Sequence, residues 1–200
     1  MNRLSVATVA VLPLLISMHG CRQPTREAEP AWSVISESQM TGEQTAQRDK
    51  ALAARDAMFT SLKGRLMEVV GTEGPAAAIA VCSEEAPQIA ERIAQEHRLA
   101  IGRTAFRLRN TGNAPPEWAT QLVADRVGEP TYLVRDDKIA ALLPIQLQTP
   151  CLMCHGPEDA LPPGVTAALA EHYPEDQATG FQEGDLRGWF WVEVPGADDS

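Results

Sequence analysis

The sequence has little positive charge. It contains 17 lysine and arginine residues against 27 aspartate and glutamate residues, which gives a formal net charge of −10 at pH 7. Proteins that bind nucleic acid rely on cations to neutralise phosphates. The charge balance therefore excludes nucleic acid as an expected partner.

The sequence also lacks an N-terminal apolar run long enough to cross a membrane. The run from Leu4 to Ile16 follows a single basic residue, Arg3, and is shorter than the ~20 residues that a spanning helix needs. This pattern is typical of an export signal. We expect residues 1–20 to be a lipoprotein-type signal peptide and Cys21, preceded by the small Gly20, to carry a lipid. The alternative is an ordinary signal peptide cleaved nearby. Both predict an extracytoplasmic or periplasmic protein, and the first predicts a lipid anchor on a bacterial membrane.

Cysteine is scarce, and the few thiols are informative. Apart from Cys21, the chain has Cys82, Cys151 and Cys154, an odd number in a compartment where paired disulfides are usual. Two of them lie in Cys-Leu-Met-Cys-His, residues 151–155. Two thiols separated by two residues and followed by an imidazole form the covalent haem-attachment pattern. We therefore predict one haem c, with thioether bonds to Cys151 and Cys154 and with His155 as an iron ligand.

The Cys-x-x-Cys spacing also has other uses. It occurs in local disulfides and in halves of zinc sites. A zinc site needs further ligands, and a redox dithiol expects a thioredoxin-like βαβ context. Neither context is evident in the sequence.

The remaining thiol, Cys82, lies where Pro87 interrupts a helical pattern, because proline lacks the amide proton that would bond to the carbonyl of Ser83. A side chain at such a junction can project into a pocket. The residues alone leave two roles for Cys82 open: a second iron ligand, or a small apolar side chain buried in an alanine-rich helix. Other candidates for the second ligand are His172, His97 and the methionines outside the motif.

The domain layout follows from hydrophobic periodicity, and we find no internal repeat. Residues 21–41 are polar and predict a flexible tether, residues 42–195 predict one domain, and residues 196–200 a disordered tail. A helical period predicts a long N-terminal helix over residues 42–70. The other predicted elements are helices at residues 76–81, about 86–97, 118–123 and 163–172, strands at 99–106 and 188–194, and a hairpin of strands 131–135 and 138–147 turning at Asp136-Asp137. This order predicts an α+β domain with an antiparallel sheet and flanking helices.

Haem propionates require partners. Arg103, Arg107 and Arg109 lie close together in the chain before a turn, and Arg187 is similarly placed before a strand. These arginines are candidates for charge-assisted hydrogen bonds to propionates. The alternative is a solvated basic edge or ion pairs with the many acidic residues.

Four segments carry a resemblance to a known family. In chain order these segments are Ala80-Val81-Cys82-Ser83 with Ala86-Pro87; Arg103-Thr104 with Arg109-Asn110 and Asn113-Ala114-Pro115; Cys151 to Gly156; and Tyr173 to Phe181 with Gly184 to Gly188. In order and spacing they resemble the c-type haem-binding domains with a PAS-like fold, long catalogued as a domain of unknown function. Members are free periplasmic haem proteins or extracytoplasmic sensing parts of histidine kinases. The resemblance implies a PAS-like sheet and Cys82 as the iron ligand opposite His155.

The function expected from these features is electron transfer or redox or gas sensing by a single low-potential haem, with an unidentified redox partner protein. An anionic thiolate ligand stabilises ferric iron and lowers the potential, whereas a His and Met pair raises it. Two alternatives are a haem enzyme with an open iron site, acting on peroxide or nitrogen oxides, and a non-haem lipoprotein whose Cys-x-x-Cys is a disulfide. Two strong iron ligands leave no open coordination site, so they favour a non-enzymatic role over the haem enzyme.

Overall fold

The computed structural model describes residues 31–196, and its centre is a five-stranded antiparallel sheet. The strands are β1 (Ser33–Ile35), β2 (Ala100–Thr104), β3 (Thr131–Arg135), β4 (Lys138–Gln146) and β5 (Leu186–Val194). The helices are α1 (Gly42–Thr72), α2 (Ala78–Ala80), α3 (Ala86–His97), α4 (Thr120–Ala124), α5 (Leu152–His155) and α6 (Val165–His172). A π-helical turn, Val81–Glu85, joins α2 to α3.

The strand order across the sheet is β1-β3-β4-β5-β2, and every neighbouring pair is antiparallel. The predicted hairpin of β3 and β4 is confirmed: Arg135 pairs with Lys138 across a two-residue turn in which Asp136 has φ 55°. Aspartate tolerates this left-handed conformation better than most residues do. The antiparallel sheet, its flanking helices and the long N-terminal helix confirm the predicted α+β class and are compatible with a PAS-like fold.

The sheet is covered on both faces, and β5 shows how. Phe190 and Val192 belong to a core cluster with Ala54 and Met58 of α1, whereas Trp189 packs in a second cluster with residues of the α4 region. Successive side chains of a strand point to opposite faces, so this alternation follows from strand geometry. One face therefore supports α1 and α3, and the other supports α4.

Helix α1 is the long helix that the periodicity predicts, extended to Thr72. Thr41 caps it by accepting a hydrogen bond from the backbone N–H of Gln44 at 3.2 Å, and the Gln44 side chain accepts from the N–H of Thr41. Such a capping box satisfies amides that the first turn leaves without partners. At 1.5 Å per residue its 31 residues give a helix roughly 46 Å long.

Two elements differ from the prediction. Residues 33–35 lie in the range expected to be a tether, yet they form β1 and pair with β3. The expected helix break before Pro87 is a π-helical turn: the N–H of Ala86 bonds to the carbonyl of Val81, five residues back. Pro87 cannot continue the regular ladder, and the wider turn accommodates this without interrupting the chain direction.

The N-terminal and C-terminal predictions fall largely outside the described residues. The signal peptide, the lipidation residue Cys21, the first part of the tether and residues 197–200 of the tail lie there. Within residues 31–196, no helix combines the length and apolar character that crossing a bilayer requires.

Candidate functional site

A cavity enclosing about 1150 Å³, part of it open to solvent, lies between α1, the π-helical turn, the sheet and the segment after β4. All four residues predicted to bind haem or its iron line this cavity: Cys82, Cys151, Cys154 and His155. Sequence positions up to 73 residues apart therefore meet at one site.

The Cys-x-x-Cys-His segment forms a compact turn after β4. A 3₁₀ turn, Thr149–Cys151, leads directly into α5. Cys151 and Leu152 pack against a buried cluster of Leu147, Ala178 and Phe181. The turn ends at Gly156, where a Cβ atom would lie 2.6 Å from the carbonyl oxygen of Leu152. Only glycine permits this close approach, which explains why the motif is followed by it.

A loop over residues 176–181 holds the histidine of this segment. The backbone N–H of Phe181 donates to the carbonyl of His155 at 2.9 Å, and that of Gly180 donates to the carbonyl of Gly156 at 2.7 Å. The His155 ring Nδ1 lies 2.7 Å from the carbonyl oxygen of Ala178. Because a carbonyl can only accept, Nδ1 is the donor and Nε2 carries the free lone pair. A metal-binding imidazole is usually oriented in this way.

The surroundings of His155 keep its imidazole neutral. Burial holds its pKa well below the usual range, and the positive charges of Arg109 and Arg187 act in the same direction, whereas the hydrogen bond to Ala178 opposes them. A neutral ring is the form that binds metals. His155 is therefore prepared for ligation without having to lose a proton.

Cys82 lies in the π-helical turn and is half-buried. It packs against a buried cluster that includes Ile79, Leu169 and Tyr173, and Cys154 packs against the same cluster. Burial raises the pKa of the Cys82 thiol, while Arg103, Arg109 and Arg187 lower it. Cys154 has its pKa raised to about 11, mainly by burial. Single π-helical turns inside α-helices are frequent at functional sites, and this one presents Cys82 to the cavity.

Three arginines line the cavity: Arg103, Arg109 and Arg187. Arg107, also predicted as a propionate contact, is not among the lining residues. Its guanidinium donates to the backbone carbonyls of Gln177, at 2.7 Å, and Thr179, and it stacks 4.4 Å from the centre of the Phe181 ring. Arg107 thus anchors the loop, whereas Arg187 lines the cavity and donates from Nη1 to the backbone carbonyl of Arg107 at 3.0 Å.

These arginines leave the cavity with an excess of positive charge. Arg187 is half-buried, and desolvation together with the positive charges of Arg109 and Arg103 lowers its pKa to about 10. Asp176 is the buried acid that pairs with Arg109, at 3.0 Å. An anionic group in the cavity would offset the repulsion among the cations.

Two buried polar atoms of the lining have no partner. Arg109 is 7 % exposed and its Nη1 makes no hydrogen bond; the hydroxyl of Thr104, 3 % exposed, makes none either. Leaving such atoms unsatisfied costs roughly 1–3 kcal/mol each. A bound group with oxygen acceptors would satisfy both of them.

Together these features fit a c-type haem. The residues supply two thiols at the attachment spacing, a neutral imidazole with a free Nε2, a third thiol, and a cationic region for two carboxylates. Phe59, Leu62 and Leu66 of α1 add an apolar wall, which suits the porphyrin face.

The other candidates for metal ligation are placed differently. Neither His97 nor His172 lines the cavity, and His172 Nδ1 lies 3.3 Å from the hydroxyl of Ser83; Met67 of α1 does line it. Among residues 31–196, Cys82, Cys151 and Cys154 form no disulfide, and no three His, Cys, Asp or Glu side chains gather as a metal-ion cluster.

Sequence reasoning missed several residues of the site. Asp176, the partner of Arg109, was not among the predicted site residues, and neither were Phe59, Leu62 and Leu66 of α1, which form the cavity wall. The carbonyl of Ala178, the partner of His155, has no sequence signature. The signal that was available is the resemblance segment at residues 173–181, which contains both Asp176 and Ala178.

Comparison with known proteins gives two findings. The model of the Tll0287-like family matches residues 27–195. Among solved structures, the chain is similar to the cyanobacterial heme-protein Tll0287, with 28% sequence identity and a TM-score of 0.56, over 78% of this chain and 97% of that chain. No match was found among curated proteins.

The family match spans every strand and helix described above, including those that build the cavity. The structural match covers nearly the whole of the related protein. On this evidence the chain belongs to the Tll0287-like family.

Proposed function

We propose that this chain is an extracytoplasmic monohaem c-type protein that works in electron transfer or redox sensing at low potential. Cys151 and Cys154 would hold the porphyrin through thioether bonds, and His155 and Cys82 would bind the iron. The observation that carries the proposal is the convergence of these four side chains on one cavity, with His155 Nδ1 committed to the Ala178 carbonyl. The similar solved structure, Tll0287, is that of a cyanobacterial heme-protein.

The haem would supply one-electron redox chemistry, and the residues around it would set its reduction potential. A thiolate ligand favours ferric iron and lowers the potential relative to a His and Met pair. Arg103, Arg109 and Arg187 favour the thiolate form of Cys82 because their positive charges oppose the effect of burial on its pKa. Burial outweighs these charges and leaves the pKa of the free Cys82 thiol raised, so a bound iron would supply the further positive charge that the thiolate form needs.

The polar part of the cavity supports propionate binding. We assign Arg103 and Arg187 as the principal partners, together with Nη1 of Arg109 and the hydroxyl of Thr104, which are otherwise without partners. Charge-assisted bonds from guanidinium to carboxylate are strong and directional. Arg107, which binds loop carbonyls instead, is left out of this assignment.

Two features bear on the choice between carrier and sensor. The cavity is partly open to solvent, which favours electron exchange with a partner protein. Cys82 lies in a π-helical turn, a local structure that can rearrange if its side chain leaves the iron, as gas or redox sensing requires. A carrier keeps the same ligands in both oxidation states, and a sensor exchanges one of them.

We expect the protein, matured with the cytochrome c machinery, to carry one thioether-linked haem per chain. A pyridine haemochrome assay measures the haem type and stoichiometry, and acid–acetone treatment tests whether the haem is covalent. A redox titration with optical detection then compares the ferric and ferrous ligation. Haem that is fully extractable, or absent, would contradict the proposal and favour a disulfide role for Cys-x-x-Cys.

We also propose a lipid anchor at Cys21, on the evidence of the apolar run at residues 4–16 and of Gly20 before the cysteine. The full-length protein is expected to enter the detergent phase in a Triton X-114 separation, and a Cys21→Ser variant to stay in the aqueous phase. Equal partitioning of the two proteins would rule the anchor out.

A further inference from the structure

We propose that Arg109 and Asp176 are positioning residues for His155, and that through the carbonyl of Ala178 they set the reduction potential of the haem. This inference rests on the proposed function. It assigns a role to a buried ion pair that neither the haem-attachment pattern nor the family match explains.

One backbone carbonyl links the histidine to the ion pair. The oxygen of Ala178 accepts a hydrogen bond from His155 Nδ1 at 2.7 Å and another from Arg109 Nη2 at 3.0 Å. The same Nη2 donates to the carbonyl of Cys154 at 2.6 Å. Arg109 therefore holds the residue before His155 and the acceptor of its ring N–H at the same time.

Asp176 completes this hydrogen-bond network by bonding to both Arg109 and Ala178. Its Oδ2 accepts from Nε of Arg109 at 3.1 Å, and its Oδ1 accepts from the backbone N–H of Ala178 at 2.7 Å. The two side chains are nearly inaccessible, 6% exposed for Arg109 and 10% for Asp176. Ala178 is thus held at its N–H by the carboxylate, while its carbonyl oxygen, in the next peptide unit, is shared between a cation and the imidazole.

Because Arg109 and His155 share the Ala178 oxygen, Arg109 affects how strongly His155 donates to a metal. A cationic donor draws electron density from the Ala178 oxygen, so this oxygen accepts less strongly from His155 Nδ1. A weaker bond at Nδ1 makes Nε2 a weaker donor to a metal. The buried positive charge also disfavours the more positive ferric state. Both effects of Arg109 raise the potential, and Asp176 limits them by partly neutralising that charge.

Substitutions in the pair are therefore expected to shift the potential in opposite directions. Arg109→Gln removes the cation and lowers the potential, because the Ala178 oxygen becomes a better acceptor. Asp176→Asn keeps the shape of the side chain but leaves Arg109 uncompensated, and raises the potential. We expect each shift to correspond to at least a tenfold change in the reduction equilibrium, which is about 59 mV for a one-electron couple.

The chain offers a matched control in Arg107. It anchors the same loop through the carbonyls on either side of Ala178, those of Gln177 and Thr179, but it makes no bond to Ala178 and does not line the cavity. Arg107→Gln is expected to lower stability while leaving the potential near its wild-type value. A loop that acts only as a structural support would give the same change for Arg107→Gln and Arg109→Gln.

The experiment is a redox titration of haem-loaded wild type and the three variants, with the haem content measured first. Opposite shifts for the Arg109 and Asp176 variants, with none for the Arg107 variant, would support the inference. Wild-type potentials in the Arg109 and Asp176 variants would overturn it. If Arg109→Gln does not accumulate, Asp176→Asn, which preserves the volume, decides alone. Absence of covalent haem from the wild type would instead overturn the proposed function.

Discussion

Replacing both Cys151 and Cys154 with serine is expected to abolish covalent haem attachment. The two thiols line the cavity within one short turn, and serine hydroxyls do not form the thioethers that the motif provides. Acid–acetone extraction of the double variant should leave no haem on the polypeptide. Each single variant should keep one thioether, which a shifted pyridine haemochrome band would report.

The matched control is Cys82→Ser, which changes a thiol in the same cavity outside the attachment motif. It should retain the full complement of covalent haem. If the double variant retained unextractable haem, or if Cys82→Ser lost it, the assignment of Cys151 and Cys154 as the attachment residues would be wrong.

Replacing Cys82 with alanine is expected to raise the reduction potential. Under the proposed ligation the substitution would remove an anionic ligand that stabilises ferric iron, and this ligand would no longer offset the positive charges of Arg103, Arg109 and Arg187. We expect the reduction equilibrium to change by at least tenfold, or about 59 mV. Optical redox titration of wild type and variant measures this change.

A Cys82→Met variant separates the effect of the ligand's negative charge from the effect of its coordination to the iron. Methionine can supply a neutral sulfur ligand from the same position, so the potential should rise while the iron stays six-coordinate. An unchanged potential in both the alanine and the methionine variants would show that Cys82 does not bind the iron.

Much of the fold follows from local sequence patterns. The long helix α1, the β3–β4 hairpin and strand β5 agree with the predicted positions because hydrophobic period and turn residues act locally. Strand β1 was missed because Ser33, Val34 and Ile35 carry no extended pattern. Val34 is 67% exposed, and the strand exists by pairing with β3, which depends on distant residues.

The thiols and the histidine that meet at the cavity could be singled out from the sequence, but their supporting contacts could not. Cys151, Cys154 and His155 are marked by spacing, and Cys82 by the helix disruption and the family resemblance. The sequence did not predict which arginines line the cavity, because the conformation of the loop after β2 decides whether Arg107 or Arg109 faces it. The pairing of Arg109 with Asp176, 67 residues away, likewise arises only when the loop at residues 176–181 folds over α5.

The residues by which α1 packs against the sheet were also predicted only in part. Its helical period identifies Leu52, Phe59 and Leu66 as one face, yet the tightest packing is made by Ala51, Ala54 and Met58. Small residues allow close helix–sheet approach but contribute weakly to a hydrophobic pattern. The larger side chains Phe59 and Leu66 are thereby left to form the cavity wall.

The most direct test of thiolate and imidazole ligation is the ferric EPR spectrum of haem-loaded wild type beside Cys82→Ala. Ligation by His155 and Cys82 predicts a low-spin ferric signal with thiolate character in the wild type that disappears in the variant. A high-spin wild-type signal, or the same low-spin signal in both proteins, would contradict it. The high-spin result would favour an open iron site instead.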